Sequence, residues 1–193
     1  MNSIKQIEVL LADRLVGRLA LTKEGLCAFE YAPDWLGSGF SISPFELPLR
    51  SGVFIAKPRP FEGGFGVFDD CLPDGWGLLI VDRYLQQKGI NPRALTLLDR
   101  LALVGSSGRG ALEFRPDHSV VTRQDYADFE KLALEAERIL GSDEYRGKGI
   151  EEFQDRGGSP GGARPKIFAR YEGKEWLVKF RAKRDPQSIG VDE

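Results

Sequence analysis

This 193-residue chain is poor in the side chains that most often carry redox or metal chemistry, with two cysteines, one histidine and one methionine. Cys27 and Cys71 are too few for a disulfide framework, and no Cys or His is spaced to share a metal with either. Both read as structural thiols, because free cysteine is most often buried as a small apolar side chain. His118 lies in the polar run Arg115-Pro116-Asp117-His118-Ser119 and reads as a surface turn residue, far ahead of any catalytic partner. No stretch approaches the ~20 consecutive apolar residues of a membrane span. The opening Met1, Asn2, Ser3, Ile4 does not begin a charged segment followed by an apolar run, so a cytoplasmic protein is expected. An excess of one charge is also missing. With 27 basic against 29 acidic residues, the net charge of -2 argues against a chain built as a whole to coat nucleic acid or an anionic membrane. Any charged site must be local.

What is present is an ordinary globular composition, 41% hydrophobic, sufficient to bury a core in one domain or two small ones. Over 7–31, apolar and polar residues alternate in three bursts separated by Ala12-Asp13-Arg14 and Lys23-Glu24-Gly25, which predicts an antiparallel meander. The stretch 32–66 is rich in Pro, Gly and Ser and predicts loop with short extended pieces. Asp74 is placed to cap a helix carrying Trp76, Leu79, Ile80 and Tyr84 on one face, with Gly89 ending it. Asn91-Pro92 predicts a second helix start, running through Leu95, Leu98 and Leu101. A glycine-serine turn at 105–110 leads into an expected strand over 111–114, closed by Pro116. A third helix is predicted over 122–140, with Tyr126, Phe129, Leu132, Ala133, Ala136 and Leu140 inward and Gly141 past its end. Residues 142–149 read as a linker. Trp35, Trp76 and Trp176 are far apart and read as packing anchors.

From 156 to 184 the character changes, with nine basic residues against two acidic. Gly157-Gly158-Ser159-Pro160-Gly161-Gly162-Ala163-Arg164-Pro165-Lys166 is followed by apolar bursts over 167–171 and 176–180 around Glu172-Gly173-Lys174, which predicts a loop and a β-hairpin. Four glycines let backbone amides approach an anion, and Lys179 on the second strand is placed to reach phosphates beneath the loop. The pattern is neither the loop ending in Gly-Lys-Ser/Thr nor the Gly-x-Gly-x-x-Gly fingerprint, so by spacing alone a mobile glycine connection beside a solvated lysine stays open.

The run Ser159 to Lys166, together with Trp176-Leu177-Val178-Lys179-Phe180, resembles the glycine-rich loop and nucleotide-binding strand of HipA-family serine/threonine kinases. Phe45-Glu46-Leu47-Pro48-Leu49, the run Phe68-Asp69-Asp70-Cys71-Leu72-Pro73-Asp74-Gly75-Trp76-Gly77, and Leu103-Val104-Gly105-Ser106-Ser107-Gly108-Arg109-Gly110-Ala111-Leu112 look like the N-terminal subdomain of the same family. The resemblance implies an α+β fold. An antiparallel β-rich N-terminal subdomain with helices would occupy 1–141, and the beginning of a kinase-like nucleotide-binding lobe 142–193.

It further implies that Ser159, Gly161, Gly162, Ala163 and Lys179 contact ATP, that Ser159 is autophosphorylated to switch the kinase off, and that Glu193 stands where a helix glutamate pairs with the lysine. A phosphoserine adds roughly -1.5 to -2 charges, which would repel a triphosphate and attract Arg156 and Arg164. ATP and Mg2+ are the cofactors expected of a complete kinase. The expected partners are a DNA-binding antitoxin of the HipB type and a protein substrate such as an aminoacyl-tRNA synthetase. The aspartate and asparagine that would orient substrate and hold magnesium are not found after the glycine loop, so the chain is expected to be the N-terminal part of such a kinase and no catalyst alone. A non-catalytic module that restrains a partner kinase or antitoxin is the alternative. Nucleic-acid binding by the basic stretch 156–184 is a weaker third reading, since Phe168, Tyr171, Trp176 and Phe180 alternate as a hairpin core would.

Overall fold

The computed structural model describes residues 4–108, 110–119, 128–142, 145–155, 162–181 and 185. Its architecture is mixed α+β. Strands β1 (Gln6–Leu11), β2 (Arg14–Leu21) and β3 (Cys27–Tyr31) form the expected meander. Leu11 pairs with Arg14, and the two residues between them, Ala12 and Asp13, both have positive φ (48° and 61°). That is the left-handed two-residue turn whose twist matches flanking antiparallel strands. β4 (Val53–Ile55) and β5 (Leu112–Arg115) complete an antiparallel sheet in the order β4-β3-β2-β1-β5.

One face of this sheet carries Ile7, Val9, Val16, Leu19, Phe29 and Phe114, all buried. The other presents the cross-strand row Glu30, Arg18, Glu8, Arg115, in which opposite charges face each other strand by strand. The alternation of the pleat therefore sorts core from solvent, as the sequence pattern requires. Rings of Phe29, Tyr31, Phe54, Phe65, Phe68 and Phe114 meet tilted or edge to face, with centroids 4.9 to 6.4 Å apart.

The Pro/Gly-rich stretch holds two short helices that sequence patterning does not signal, α1 (Pro33–Ser38) and α2 (Gly66–Asp69). The Tyr31 hydroxyl donates to the Leu47 carbonyl at 2.6 Å and accepts from the Ile42 amide at 3.1 Å. A single buried phenol thus anchors the loop. Helix α3 (Gly75–Gln87) buries Trp76, Ile80 and Leu85, and Gly89 follows it with φ 73°. The helix expected to begin at Asn91-Pro92 starts later: Pro92–Ala94 is a single 3-10 turn, and α4 spans Leu97–Val104. Thr96 caps it. Its hydroxyl accepts from the Asp99 amide, and Asp99 accepts from the Thr96 amide, a reciprocal box that fixes the start more firmly than a proline can.

Helix α5 spans Phe129–Gly141, capped by Asp128, whose carboxylate accepts from the Lys131 amide at 3.0 Å. The expected start at 122, with Tyr126, lies outside the described residues. Gly141 belongs to the helix rather than following it, and the inward stripe is Leu132, Ala136 and Ile139, while Phe129 and Leu140 sit at its rim. The segment read as linker leads into a further helix, α6 (Gly149–Asp155). Strands β6 (Lys166–Tyr171) and β7 (Lys174–Lys179) form the expected hairpin, again through a two-residue turn of positive φ at Glu172 and Gly173.

Two compact units emerge, Met1–Leu72 with Arg93–Ser119, and Pro73–Pro92 with Val120–Glu193. The first is built on the five-stranded sheet and α4. The second packs Trp76 and Ile80 of α3, Leu132, Ala136 and Ile139 of α5, Ile150 and Phe153 of α6, and Ile167, Ala169 and Phe180 of the hairpin region into its own core. In the second unit α3, early in sequence, shares its core with the late hairpin. Trp35 and Trp76 are buried anchors, but Trp176 is 52% exposed on β7. Of the aromatics read as a hairpin core, Phe180 is buried. No described helix is long and apolar enough to cross a membrane.

Candidate functional site

The second unit brings the end of the glycine loop onto the start of α3. Asp74, expected to cap its own helix, makes no side-chain cap bond there. Its carboxylate instead accepts from the Gly162 amide at 3.0 Å, while the Trp76 amide donates to the Gly162 carbonyl at 3.0 Å. Both polar backbone groups of Gly162 are therefore engaged by α3. The close approach demands glycine at 75, and the backbone conformation favours it at 162. A Cβ on Gly75, whose φ is 44°, would stand 2.6 Å from the Gly162 carbonyl carbon, and Gly162 itself has φ 96°.

From this clamp the chain enters the hairpin. Phe180 donates its amide to the Pro165 carbonyl at 2.8 Å, so the next pair inward, Lys166 and Lys179, stand directly opposite on one face. Ile167, Ala169 and Phe180 point to the core, which places the two lysines on the opposite face, at the mouth of the hairpin. Lys166 is nearly buried (8% exposed) and Lys179 exposed. The Lys166 ammonium runs beside the loop, 3.1 Å from where a Cβ on Gly162 would lie. Two cations from adjacent strands and a glycine-tethered loop thus converge in one place.

Of the expected nucleotide residues, Gly162, Ala163 and Lys179 fall at this convergence, whereas Ser159, Gly161 and Glu193 lie outside the described residues. Arg156 does too, and Arg164 forms an ion pair with Asp185 at 3.1 Å. Sequence reasoning missed Lys166 and Asp74. The signal for Lys166 was its register, since it falls opposite Lys179 once the Glu172-Gly173 turn is fixed. Asp74 had no such signal, because its partner lies 88 positions away.

The residues present suit a polyanion in part. Lys166 and Lys179 supply charge, and the glycines supply close approach; Asp74 supplies a negative charge that holds the loop but opposes a phosphate placed directly against it. Among the described residues no group of three or more His, Cys, Asp or Glu could hold a metal ion. His118 is exposed in its turn, its amide donating to the Ala102 carbonyl.

Elsewhere, charged groups act structurally. Desolvation works to raise Asp99, but the Ile4 amide and the Thr96 hydroxyl and amide donate to it, and the net effect holds its carboxyl below the ordinary value. At Asp117 desolvation is again outweighed, here by bonds from Ser106 and Ser119, and the carboxyl falls to about 2. Burial pushes the Cys27 thiol up to about 11; burial, with Asp70 adding repulsion, does the same at Cys71. Arg83, buried between helices, donates to the Ile139 carbonyl.

The meander from Ile7 onward, the Tyr31-anchored loop, α3, α4 and β5 lie within the segment 7–115, and that segment, more than half of the chain, matches the HipA N-terminal domain. The chain belongs to the HipA N-terminal domain family.

Proposed function

We propose that this chain is the N-terminal portion of a HipA-like protein serine/threonine kinase toxin, and that its second unit supplies the phosphate-binding half of the ATP site in a kinase-like N-lobe. The observation that supports this reading most is the pairing of Lys166 with Lys179 at the hairpin mouth, beside a glycine loop tied to α3. Lys179 would hold the nucleotide phosphates, Lys166 would add a second positive charge from beneath the loop, and the Asp74 clamp would fix where the loop ends. When bound, ATP supplies the transferable phosphoryl group and Mg2+ neutralises its charge. Ser159, as the self-modified residue, would gain a charge that competes with the nucleotide for these cations. The substrate class is a protein hydroxyl, such as one on an aminoacyl-tRNA synthetase, and the regulatory partner a HipB-type DNA-binding antitoxin.

The test is phosphoryl transfer by the chain joined to the remaining lobe of a HipA-type kinase. Lys179→Ala is expected to lower the rate by about 10²-fold or more, as removal of a charge from an enclosed phosphate site does. Ser159→Ala is expected to keep activity and lose self-inactivation. Full activity in Lys179→Ala would refute the assignment. This chain alone is expected to transfer no phosphate to itself or to added protein, and labelled Ser159 in a pure sample would overturn that.

The match to 7–115 favours a second reading, a non-catalytic module that binds and restrains a kinase or antitoxin. Inhibition of a complete HipA-type kinase by this chain, undiminished in Lys179→Ala, would select it.

A further inference from the structure

The sheet of the first unit ends in an edge that is apolar, exposed and flanked by positive charge. β4 is the terminal strand in the order β4-β3-β2-β1-β5. The Ala56 amide donates inward to the Cys27 carbonyl at 2.8 Å, and Phe54 is the next residue of the same inward phase, opposite Phe29. In an antiparallel strand the backbone groups alternate, so the N–H and C=O of Val53 and Ile55 point outward, away from β3. Their side chains are exposed as well, 55% and 61%, on the solvent face of the sheet. Edges of this kind are ordinarily covered, shortened or blunted by inward-pointing charge, because they template pairing with another strand.

We propose that β4 docks an extended segment of a partner protein in which apolar and acidic residues alternate, adding a sixth strand to this sheet. The charge pattern identifies the partner. Between Glu46 and Glu62 there is no acidic residue, and Arg50, Lys57 and Arg59 flank β4, all exposed. Arg50 lies over the Phe54 ring, 4.2 Å from its centroid, on the face opposite Val53 and Ile55. A strand laid along β4 with valine-like side chains on the Val53–Ile55 face would therefore turn its intervening side chains toward Arg50, where acids are favoured. Self-pairing of two β4 edges is disfavoured by the same charges, since it would bring Arg50, Lys57 and Arg59 of both copies together, against one Glu30 from each neighbouring strand. This inference stands on the first unit alone and holds under either functional reading above.

The test uses the full chain and two ten-residue peptides, one alternating valine with glutamate and one alternating valine with lysine, followed by fluorescence anisotropy and by hydrogen exchange of the amides. The glutamate peptide is expected to bind saturably and to protect the amides of Val53 and Ile55; the lysine peptide is expected not to bind. Ile55→Pro removes an outward N–H while leaving the bonds to β3 intact, and should weaken binding about tenfold or more. Ile55→Asp, which keeps the N–H but sets a charge against the peptide's valines, should weaken it similarly, and circular dichroism of both variants reports that the sheet persists. Equal binding of both peptides, no binding of either, or protection that does not include Val53 and Ile55 would overturn the proposal. So would a dimer in sedimentation that Ile55→Asp dissociates, because the edge would then belong to a second copy of the chain.

Discussion

At the scale of single residues, the ionisable and thiol groups of the first unit are held by burial and backbone bonds. Cys27 and Cys71, both raised to about 11, are protonated at neutral pH and poor nucleophiles. Iodoacetamide at pH 8 is expected to label neither in the folded chain at more than a small fraction of the rate in urea; fast native labelling of Cys27 would contradict its burial. Asp99 is 4% exposed and serves both the Thr96 cap and the Ile4 amide. Asp99→Ala should cost about 2 kcal/mol in chemical denaturation, because one half of the capping box is lost and the Ile4 amide loses its acceptor, and Asp99→Asn should recover part of it. The sign with pH follows from the direction of the shifts. Asp99 and Asp117 are both lowered from 3.8, so their contribution is complete above that value. It is lost as pH falls below it, for Asp117 down to about 2. A stability that instead rose on acidification through this range would contradict both assignments.

At the scale of elements, what was legible in the sequence was whatever local pattern decides. The meander, α3 with Gly89 and the hairpin around Glu172-Gly173 all follow from periodicity and turn chemistry. The misplaced features have long-range causes. α1 and α2 are too short to show a period, and they are held by contacts such as the Gly66 amide on Glu46. The start of α4 was misread because Pro92 is a start signal in its own right, yet Thr96 with Asp99 offers two mutual bonds. Asp74 was misread for the opposite reason: a locally sensible cap is outcompeted by Gly162. That clamp gives a prediction. Gly75→Ala would place a methyl 2.6 Å from the Gly162 carbonyl and impose a side chain on a φ of 44°. It should destabilise the second unit by about 1–3 kcal/mol and speed hydrogen exchange at Gly162, while the amides of β1 and β2 keep their protection. Unchanged exchange at Gly162 would show that the loop is held by other means.

At the scale of the whole molecule, family membership rests on residues 7–115, which take in most of the first unit and α3 of the second, and the proposed chemistry rests on the second unit. The residues 7–115 that match the HipA N-terminal domain carry sheet, α4 and the exposed β4 edge. The lysine pair and glycine loop belong to 73–92 and 120–193. Part of the candidate site could be read from the sequence: the glycine run and strand pattern pointed to Gly162 and Lys179, and the family resemblance added Ala163. Lys166 and Asp74 became visible only when strand register and the approach of α3 to the loop were known. The central claim is that Lys166 and Lys179 together receive a nucleotide's phosphates, and amide and lysine side-chain NMR of the chain titrated with ATP and Mg2+ tests it most directly. Weak, millimolar-range shifts are predicted at Ala163, Lys166 and Lys179, reduced in Lys179→Ala and abolished when Lys166→Ala is added. Shifts that survive in the double variant, or a titration that leaves these three residues unmoved, would contradict it.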